Sequence, residues 1–519
     1  MLHRLSKIGS REPGLPPGPP TLPLIGNLHQ FETKHTYRKF TEWAKTYGDI
    51  YSIKMGSTTG IVISSPKLAR EYIDLRGATT SDRPPVYTDE LISGGLELPL
   101  SPYGPTWRSM RRAAHDMLSP KACLRHLPIQ RAESAQLMFD LLESPQRFYT
   151  HTSRYSGSVI TSVLYGIHSP VYENGLVEKF DKFTERLESA LKPGNSPPVD
   201  MYPFMKYLPE ILGPTPWKTR CKEVRKEQRE IFFGLLDLVV ERMEKNQRNG
   251  CFIESVLDRQ EQYGLDRELI GYLGGSLLQA GNDTTAVFLQ TLLVCIISHP
   301  AVQRRAQQEI DSVIGPDRLP EFSDFDNLPY LKAVINEVHR FRPIVPITIP
   351  HASTADERAG DYMIPKGSIL FINAWGIYRH EDYYENPDTF DPDRFLKNPH
   401  GTKPGVDPTG CRGDYAFGAG RRICPGLHLA NNSIALNAMN LLWAFDFTKA
   451  KDPVTGNLID IDMNALKEES VLLVPKPFRC EIQPRSVEKA KMIRMQFAAA
   501  REIFENFEHH MSLKSGEVQ

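Results

Sequence analysis

Apolar residues recur along most of the chain at three- and four-residue steps, the period of helices with one buried face, and only short β-branched runs break that rhythm. From about Lys39 to Gln308 most segments read as helices, whereas Ile50 to Met55, Gly60 to Ser64 and Ser368 to Asn373 read as strands. The longest predicted helix runs from about Asp266 to His299, with Leu273, Leu277, Ala280, Thr284, Phe288, Leu292 and Cys295 along one stripe and Pro300 ending it. That stripe is interrupted by Ala280-Gly-Asn-Asp-Thr-Thr285, small and polar residues that helix propensity disfavours in a buried interior. A local conflict of this kind marks a candidate working site. After Pro484, the positions Ile493, Phe497, Ala500, Phe504 and Phe507 predict a further amphipathic helix, expected to pack back onto the domain; a membrane-surface or partner contact is the less favoured alternative.

No internal repeat and no Gly/Ser linker divides the chain, so the pattern predicts one continuous, mainly α domain with minor β. The expected divisions are residues 1–30, a leading segment with the proline-rich stretch Glu12 to Pro20; residues 31–486, the main domain; and residues 487–519, the amphipathic helix and a tail. The prolines exclude helix and predict a stiff, extended run. No apolar stretch of the roughly 18 residues that span a bilayer precedes them.

Composition narrows the classes. In 519 residues, 62 Lys plus Arg stand against 63 Asp plus Glu, and a net charge of -1 gives no reason to expect nucleic acid as a partner. The seven cysteines are scattered and contain no C-x-x-C pair, which disfavours a disulfide scaffold and points to a reducing compartment.

One cysteine stands apart. In Phe417-Gly-Ala-Gly-Arg-Arg-Ile-Cys-Pro-Gly426, Gly418 and Gly420 permit a tight turn before Cys424, and Pro425 with Gly426 leads into a helical pattern from Leu427 to Trp443. A sulfur at a helix N-terminus is expected to have its pKa lowered by the helix dipole and unpaired N–H groups. A lone cysteine is ordinarily a small buried apolar residue. Here the whole pattern F-x-x-G-x-R-x-C-x-G is matched, and with 24 Phe, 36 Gly and 7 Cys a chance match is on the order of one in ten thousand.

This loop resembles that of the cytochrome P-450 family, the haem-thiolate mono-oxygenases. The resemblance implies Cys424 as the thiolate ligand of haem b iron, Phe417 packed near the sulfur and Arg422 paired with a haem propionate. Thiolate ligation pushes electron density toward bound dioxygen and favours O–O cleavage. Other segments fit the same pattern. Glu337 and Arg340 of Asn336-Glu-Val-His-Arg340, with Arg394 of Phe390-Asp-Pro-Asp-Arg-Phe395, look like the family's buried charge triad, although a surface ion pair is the ordinary reading of the first two alone. The interrupted stripe is similar to the oxygen-activation motif. There Gly281 would leave room for dioxygen, Thr284 would position water and proton, and Asp283 would serve as acid relay; the alternative is a Ser/Thr helix distortion without chemistry. Trp107 and Arg111 match a W-x-x-x-R helix that holds propionates, and His351 resembles a further propionate contact. The basic run Arg108, Arg111, Arg112, Lys121 and Arg125 resembles the surface on which the family docks an NADPH-dependent reductase.

The resemblance covers nearly the whole chain, from Pro16-Pro-Gly-Pro-Pro20 to Pro484-Arg-Ser486, and is closest to the eukaryotic microsomal branch and, more loosely, to fungal enzymes of secondary metabolism. It implies a single haem-enclosing domain that oxidises a lipophilic small molecule with dioxygen, inside the cell, at the cytosolic face of the endoplasmic reticulum or free of it. Two departures are the missing hydrophobic anchor ahead of the prolines and the extra helix after Ser486, which leave membrane association open. The apolar segments Val86 to Leu100, Leu277 to Thr285 and Val345 to Ile349 are expected to line the substrate pocket. Two other classes remain open: a zinc-stabilised interaction protein using Cys424 and His428, which lacks a second ligand pair, and a haem-binding sensor without turnover, which needs neither the acid relay nor a reductase surface.

Overall fold

The structure is a computed structural model that describes residues 8–507 apart from 32, 33, 193, 211–215, 317, 414 and 468–470. The first part of the basic N-terminus, through residue 7, and the tail after residue 507 lie outside the described residues. The helices of three turns or more are α1 (Thr36–Tyr47), α2 (Pro105–Leu118), α3 (Leu127–Glu143), α4 (Phe148–Tyr165), α5 (Leu176–Leu191), α6 (Trp217–Glu244), α7 (Arg267–Ser298), α8 (Pro300–Ile314), α9 (Pro329–Phe341), α10 (Leu427–Ala444) and α11 (Val487–Phe504). The chain is mainly helical, as the apolar rhythm predicts.

The bounds of α7 have local causes. Asp266 accepts a hydrogen bond from Leu269 N at 2.9 Å and so caps the orphan donors of the first turn, while His299 and Pro300 end the helix where the next begins. This is the one helix among the described residues long and apolar enough to cross a membrane, and it is mostly buried in the core. It packs against α4, α6 and α10; α10 packs in turn on α3 and α9.

The minor β component sits at one side. Strands β1 (Ile50–Met55), β2 (Thr58–Ile63), β6 (Ile369–Ile372) and β3 (His351–Ala352) form a sheet in the order β1-β2-β6-β3, with β2 and β6 parallel and the outer pairs antiparallel. Two small hairpins complete it: β4 (Glu357–Ala359) with β5 (Tyr362–Ile364), and β7 (Phe445–Lys449) with β8 (Cys480–Pro484). The proline-rich stretch runs along β1, where Ser52 donates from N to Pro17 O at 2.7 Å and from Oγ to Pro16 O at 2.6 Å. Prolines that cannot donate thus serve as acceptors at a sheet edge.

The sheet brings remote segments together. Ala352 N donates to Asp82 O at 2.8 Å, an isolated bridge that sets residues 80–83 beside β3 and places Thr80, Arg83 and His351 side by side.

Candidate functional site: a cationic cradle around Cys424

Cys424 lies just ahead of α10, two residues after a short turn, Gly420–Arg422; Gly418, before that turn, and Gly420, within it, have φ of 82° and 60°. A side chain at Gly420 would run into Ile73 O at 2.4 Å, so both backbone angle and close approach require glycine there. Cys424 N donates to Phe417 O at 2.8 Å and closes the loop.

The loop sulfur differs from expectation in one respect. Backbone N–H groups of Gly426 and Leu427 and the nearby Arg111 favour its thiolate, but burial outweighs them and the thiol is pushed up from its ordinary value. A helix N-terminus contributes a fraction of a charge, whereas moving a full charge out of water costs more.

Around the loop the structure gathers buried cations. Arg422 is 8% exposed; its Nε donates to Ser81 O at 2.8 Å and its Nη2 to Ser101 O at 2.7 Å, while Nη1 is buried without a partner. Its guanidinium lies over the ring of Trp107 on α2. Arg111, one turn further along α2, is half-buried and interacts with Cys424. His351 donates from Nδ1 to Thr80 O at 2.8 Å; burial first, then Arg83 and Arg422, hold its pKa down to about 3, so the ring is neutral. Phe417 lies with its ring centroid 5.5 Å from that of His339, a buried imidazole without a hydrogen-bond partner that also meets Phe288.

Sequence reasoning missed Arg83. This side chain is 7% exposed and donates to Pro99 O, Ile349 O and Pro350 O, each at 2.7 Å, fastening two of the candidate pocket segments to each other. Burial and the nearby Arg422 bring its pKa down to about 9. No spacing rule could have found it, since two of its three partners lie more than 260 residues away.

Glu337, Arg340 and Arg394 meet beneath α9. Arg340 donates to both oxygens of Glu337, at 2.7 and 2.8 Å, and Arg394 Nε reaches the same carboxylate at 3.1 Å. Glu337 and Arg340 are 0% exposed, so the ordinary reading of the pair as a surface contact does not hold.

On α7, every residue between Ile270 and Ile297 is buried except Gln279, Ala280, Gly281, Asp283 and Thr284. The polar interruption is thus the one accessible turn in the core helix. Thr284 Oγ1 donates to Ala280 O at 3.0 Å, the back-bonded geometry of a hydroxyl inside a helix. Gly281 is placed differently from the expectation: a Cβ there would meet Ile160 of α4 at 2.6 Å, so this glycine permits close packing of α7 on α4. The accessible residue aligned with Thr284 is Ala280, four positions back. Asp283 is held by Asn282, whose Nδ2 donates to its Oδ1 at 2.7 Å, and makes no hydrogen bond to Thr284.

These residues suit a flat, anionic cofactor. A buried arginine with an unspent N–H group, Arg422, calls for an anion, and a cysteine with backbone donors around its sulfur suits a metal cation. Haem, with its iron and carboxylates, supplies both. Among the described residues no three His, Cys, Asp or Glu side chains converge, so Cys424 and His428 have no companions for zinc.

Comparison with known proteins agrees. The cytochrome P450 family model matches residues 16–479. A cytochrome P450 monooxygenase of Armillaria gallica is 46% identical over 97% of this chain and 95% of its own length. Others are 38% identical, from Arthrobotrys oligospora, over 96% and 94%, and 35% identical, the monooxygenase yanC of Aspergillus niger, over 94% and 92%. A zebrafish cytochrome P450 structure with progesterone superposes with a TM-score of 0.70 at 23% identity, covering 86% of this chain and 99% of that one, a likeness of fold. The chain belongs to the cytochrome P450 family. It is an oxidoreductase that incorporates oxygen, and its family implies haem iron as cofactor, dioxygen, a lipophilic substrate and a redox partner.

Proposed function

We propose that the chain is a mono-oxygenase of secondary-metabolite biosynthesis that inserts one oxygen atom of dioxygen into a lipophilic small molecule, with electrons from an NADPH-dependent reductase. Haem, when bound, supplies the oxygen-activating chemistry. Cys424 would ligate the iron, with Phe417 beside the loop, and Trp107, Arg111, Arg422 and His351 would hold the propionates. Arg83 belongs with this last group. Thr284 and Asp283 would position and supply protons on the opposite side, and the triad of Glu337, Arg340 and Arg394 would brace the cysteine loop.

The observation that carries this reading is the buried, unpartnered Nη1 of Arg422 two residues from Cys424, a cation awaiting an anion next to a metal-ligating sulfur. A lipophilic substrate is supported by Leu277, Val345 and Ile349, apolar residues in the candidate pocket segments, of which Ile349 is 39% exposed. The fungal relatives support a role in secondary metabolism.

Association with the cytosolic face of the endoplasmic reticulum belongs to the same reading. Leu22 and Leu24 are 46% and 47% exposed, Phe204 and Tyr207 are 65% and 79% exposed, and Tyr202 Oη donates to Leu24 O at 2.8 Å, joining the two segments into one apolar face.

The test is the carbon monoxide difference spectrum of the reduced protein. The wild type is expected to give the thiolate-ligated band, and Cys424→Ser to lose it; an unaltered band in that variant would sink the reading. Binding spectra with a panel of terpenoids and polyketides, followed by NADPH consumption with added reductase, then separate an enzyme from a sensor. A response confined to polar metabolites would refute the substrate class.

A further inference from the structure

Asp181 on α5 and Asp283 on α7 meet at one amide. Asn282, 1% exposed, donates from Nδ2 to Asp181 Oδ1 at 2.5 Å and to Asp283 Oδ1 at 2.7 Å. On the far side Tyr172 Oη donates to Asp181 Oδ2 at 2.7 Å. The other groups that bear on the pair electrostatically are Glu185 and Glu188 of α5 and the ammonium of Lys467. From α4 the neighbours are neutral: Ser156 Oγ donates to Gly281 O at 3.0 Å, and the backbone at Gly157 leaves room for the Asn282 amide.

An amide that donates to two carboxyl groups does not neutralise either. Two half-buried carboxylates this close, with acidic neighbours, do not both ionise readily near neutrality. Burial first and Asp181 second push the pKa of Asp283 up to about 7, and burial also raises Asp181.

We propose that Asp181 is a positioning residue for Asp283, fixing it through the shared Asn282 amide and keeping a proton on it. The purpose of that proton rests on the mono-oxygenase reading, in which Asp283 is the acid beside Thr284; the pair itself exists with or without turnover. When Asp283 donates, its O–H bond breaks, the proton passes to an oxygen acceptor on the Thr284 side, and the carboxylate left behind is reprotonated from solvent. The charge of Asp181 favours that return. Because Asp181 sits on α5 and Asp283 on α7, any movement that parts the two helices releases this hold and lets Asp283 ionise. The state of the acid thereby follows the position of α5.

Infrared difference spectra of the haem-containing protein, recorded across pH 5 to 9, test this directly. Subtracting Asp283→Asn from wild type isolates the carboxyl C=O band of Asp283 from that of Glu97. The wild-type band is expected to titrate near 7; in Asp181→Asn it should remain but titrate lower, toward the ordinary aspartate range, and Asp181→Glu should restore it. If Asp181→Asn folds poorly, Asp181→Ser serves in its place, checked by circular dichroism. An unchanged midpoint in the Asp181 variants overturns the proposal, as does a wild-type band that Asp283→Asn leaves in place. The alkaline limb of NADPH consumption with added reductase should shift to lower pH in Asp181→Asn, which a purely structural residue would not cause. Failure of the mono-oxygenase reading would appear instead as a missing thiolate carbonyl band, with the infrared titration still readable.

Discussion

The guanidinium of Arg422 lies over the indole of Trp107, its central carbon 4.2 Å from the ring centroid. The contact uses the π face of the cation and leaves its N–H edge free, so the two remaining roles divide cleanly: Nε and Nη2 anchor to Ser81 and Ser101 carbonyls, and Nη1 is unspent. A lysine cannot stack, anchor twice and offer a further donor at once. Arg422→Lys is therefore expected to fold with a loss of roughly 1–2 kcal/mol, and to retain several-fold less haem per protein, read from the ratio of haem to protein absorbance after gel filtration. Full haem content in that variant would remove Arg422 from the cofactor cradle.

The same logic gives a larger effect beneath α9. Arg340 places all five donors: two on Glu337, and the rest on the carbonyls of Tyr378, Pro387 and Thr389. Arg340→Ala strips those carbonyls and leaves the buried Glu337 with Arg394 as its one cation, beside the Asp391 N–H. Breaking such a buried pair costs roughly 3–5 kcal/mol. The variant is expected to show no haem spectrum on expression, and a normal spectrum would count against the bracing role of the triad.

What the chain announced in advance, and what it hid, follow from distance along it. The ends of α7 were readable because Asp266 caps and Pro300 stops within a few residues, and α10 because glycines, cysteine and proline sit at fixed spacing before Leu427. Arg83, Glu97 and Asp181 were not readable: each acts on partners brought by a separate segment, through the Asp82–Ala352 bridge for the first and by packing on α7 for the other two. Two local expectations failed for physical reasons. At Cys424 burial outweighs the backbone N–H groups of the helix start. At Gly281, one step from Ala280 turns the backbone by about 100°, enough to aim that position at α4.

Glu97 yields a pH prediction. It is 5% exposed and accepts from Gln228 Nε2 and Ser276 Oγ, each at 2.7 Å, tying the segment before α2 to α6 and α7. No cation pairs with it in these contacts, and burial pushes its pKa up to about 7. A carboxyl whose pKa is higher folded than unfolded stabilises below its unfolded value, and that stability is lost as pH rises through the folded value. Thermal stability should thus decline from about pH 5 to pH 8. Glu97→Gln keeps the shape without the charge, so it should flatten this decline and be more stable than wild type at pH 8 by roughly 1–3 kcal/mol, measured by denaturation at both pH values. Equal slopes in the two proteins would show that Glu97 does not titrate in this range.

Helix α11 carries the last prediction. Ser486 caps it by accepting from Lys489 N at 3.1 Å, and its inner face is spent on the domain: Ile493 is fully buried, Phe497 stacks on Phe139 of α3 at 4.3 Å, and Phe504 stacks on His168 at 3.9 Å. Beneath Phe504 lies a buried network in which His168 Nδ1 and Arg154 Nη1 each hold Glu133 at 2.8 Å. Phe504 is the cover that keeps water from this network. Phe504→Ala removes that cover and a large apolar group, and is expected to cost roughly 3–5 kcal/mol; Phe497→Ala, whose ring is only half-buried, should cost less. Deleting the chain after Ser486 should cost more than either, because Lys489 and Arg494 also lose Asp311 and Glu143 and the whole inner face of the helix is uncovered at once. Urea denaturation of the three variants gives the order, and a truncated protein as stable as wild type would mean that α11 contributes nothing to the fold.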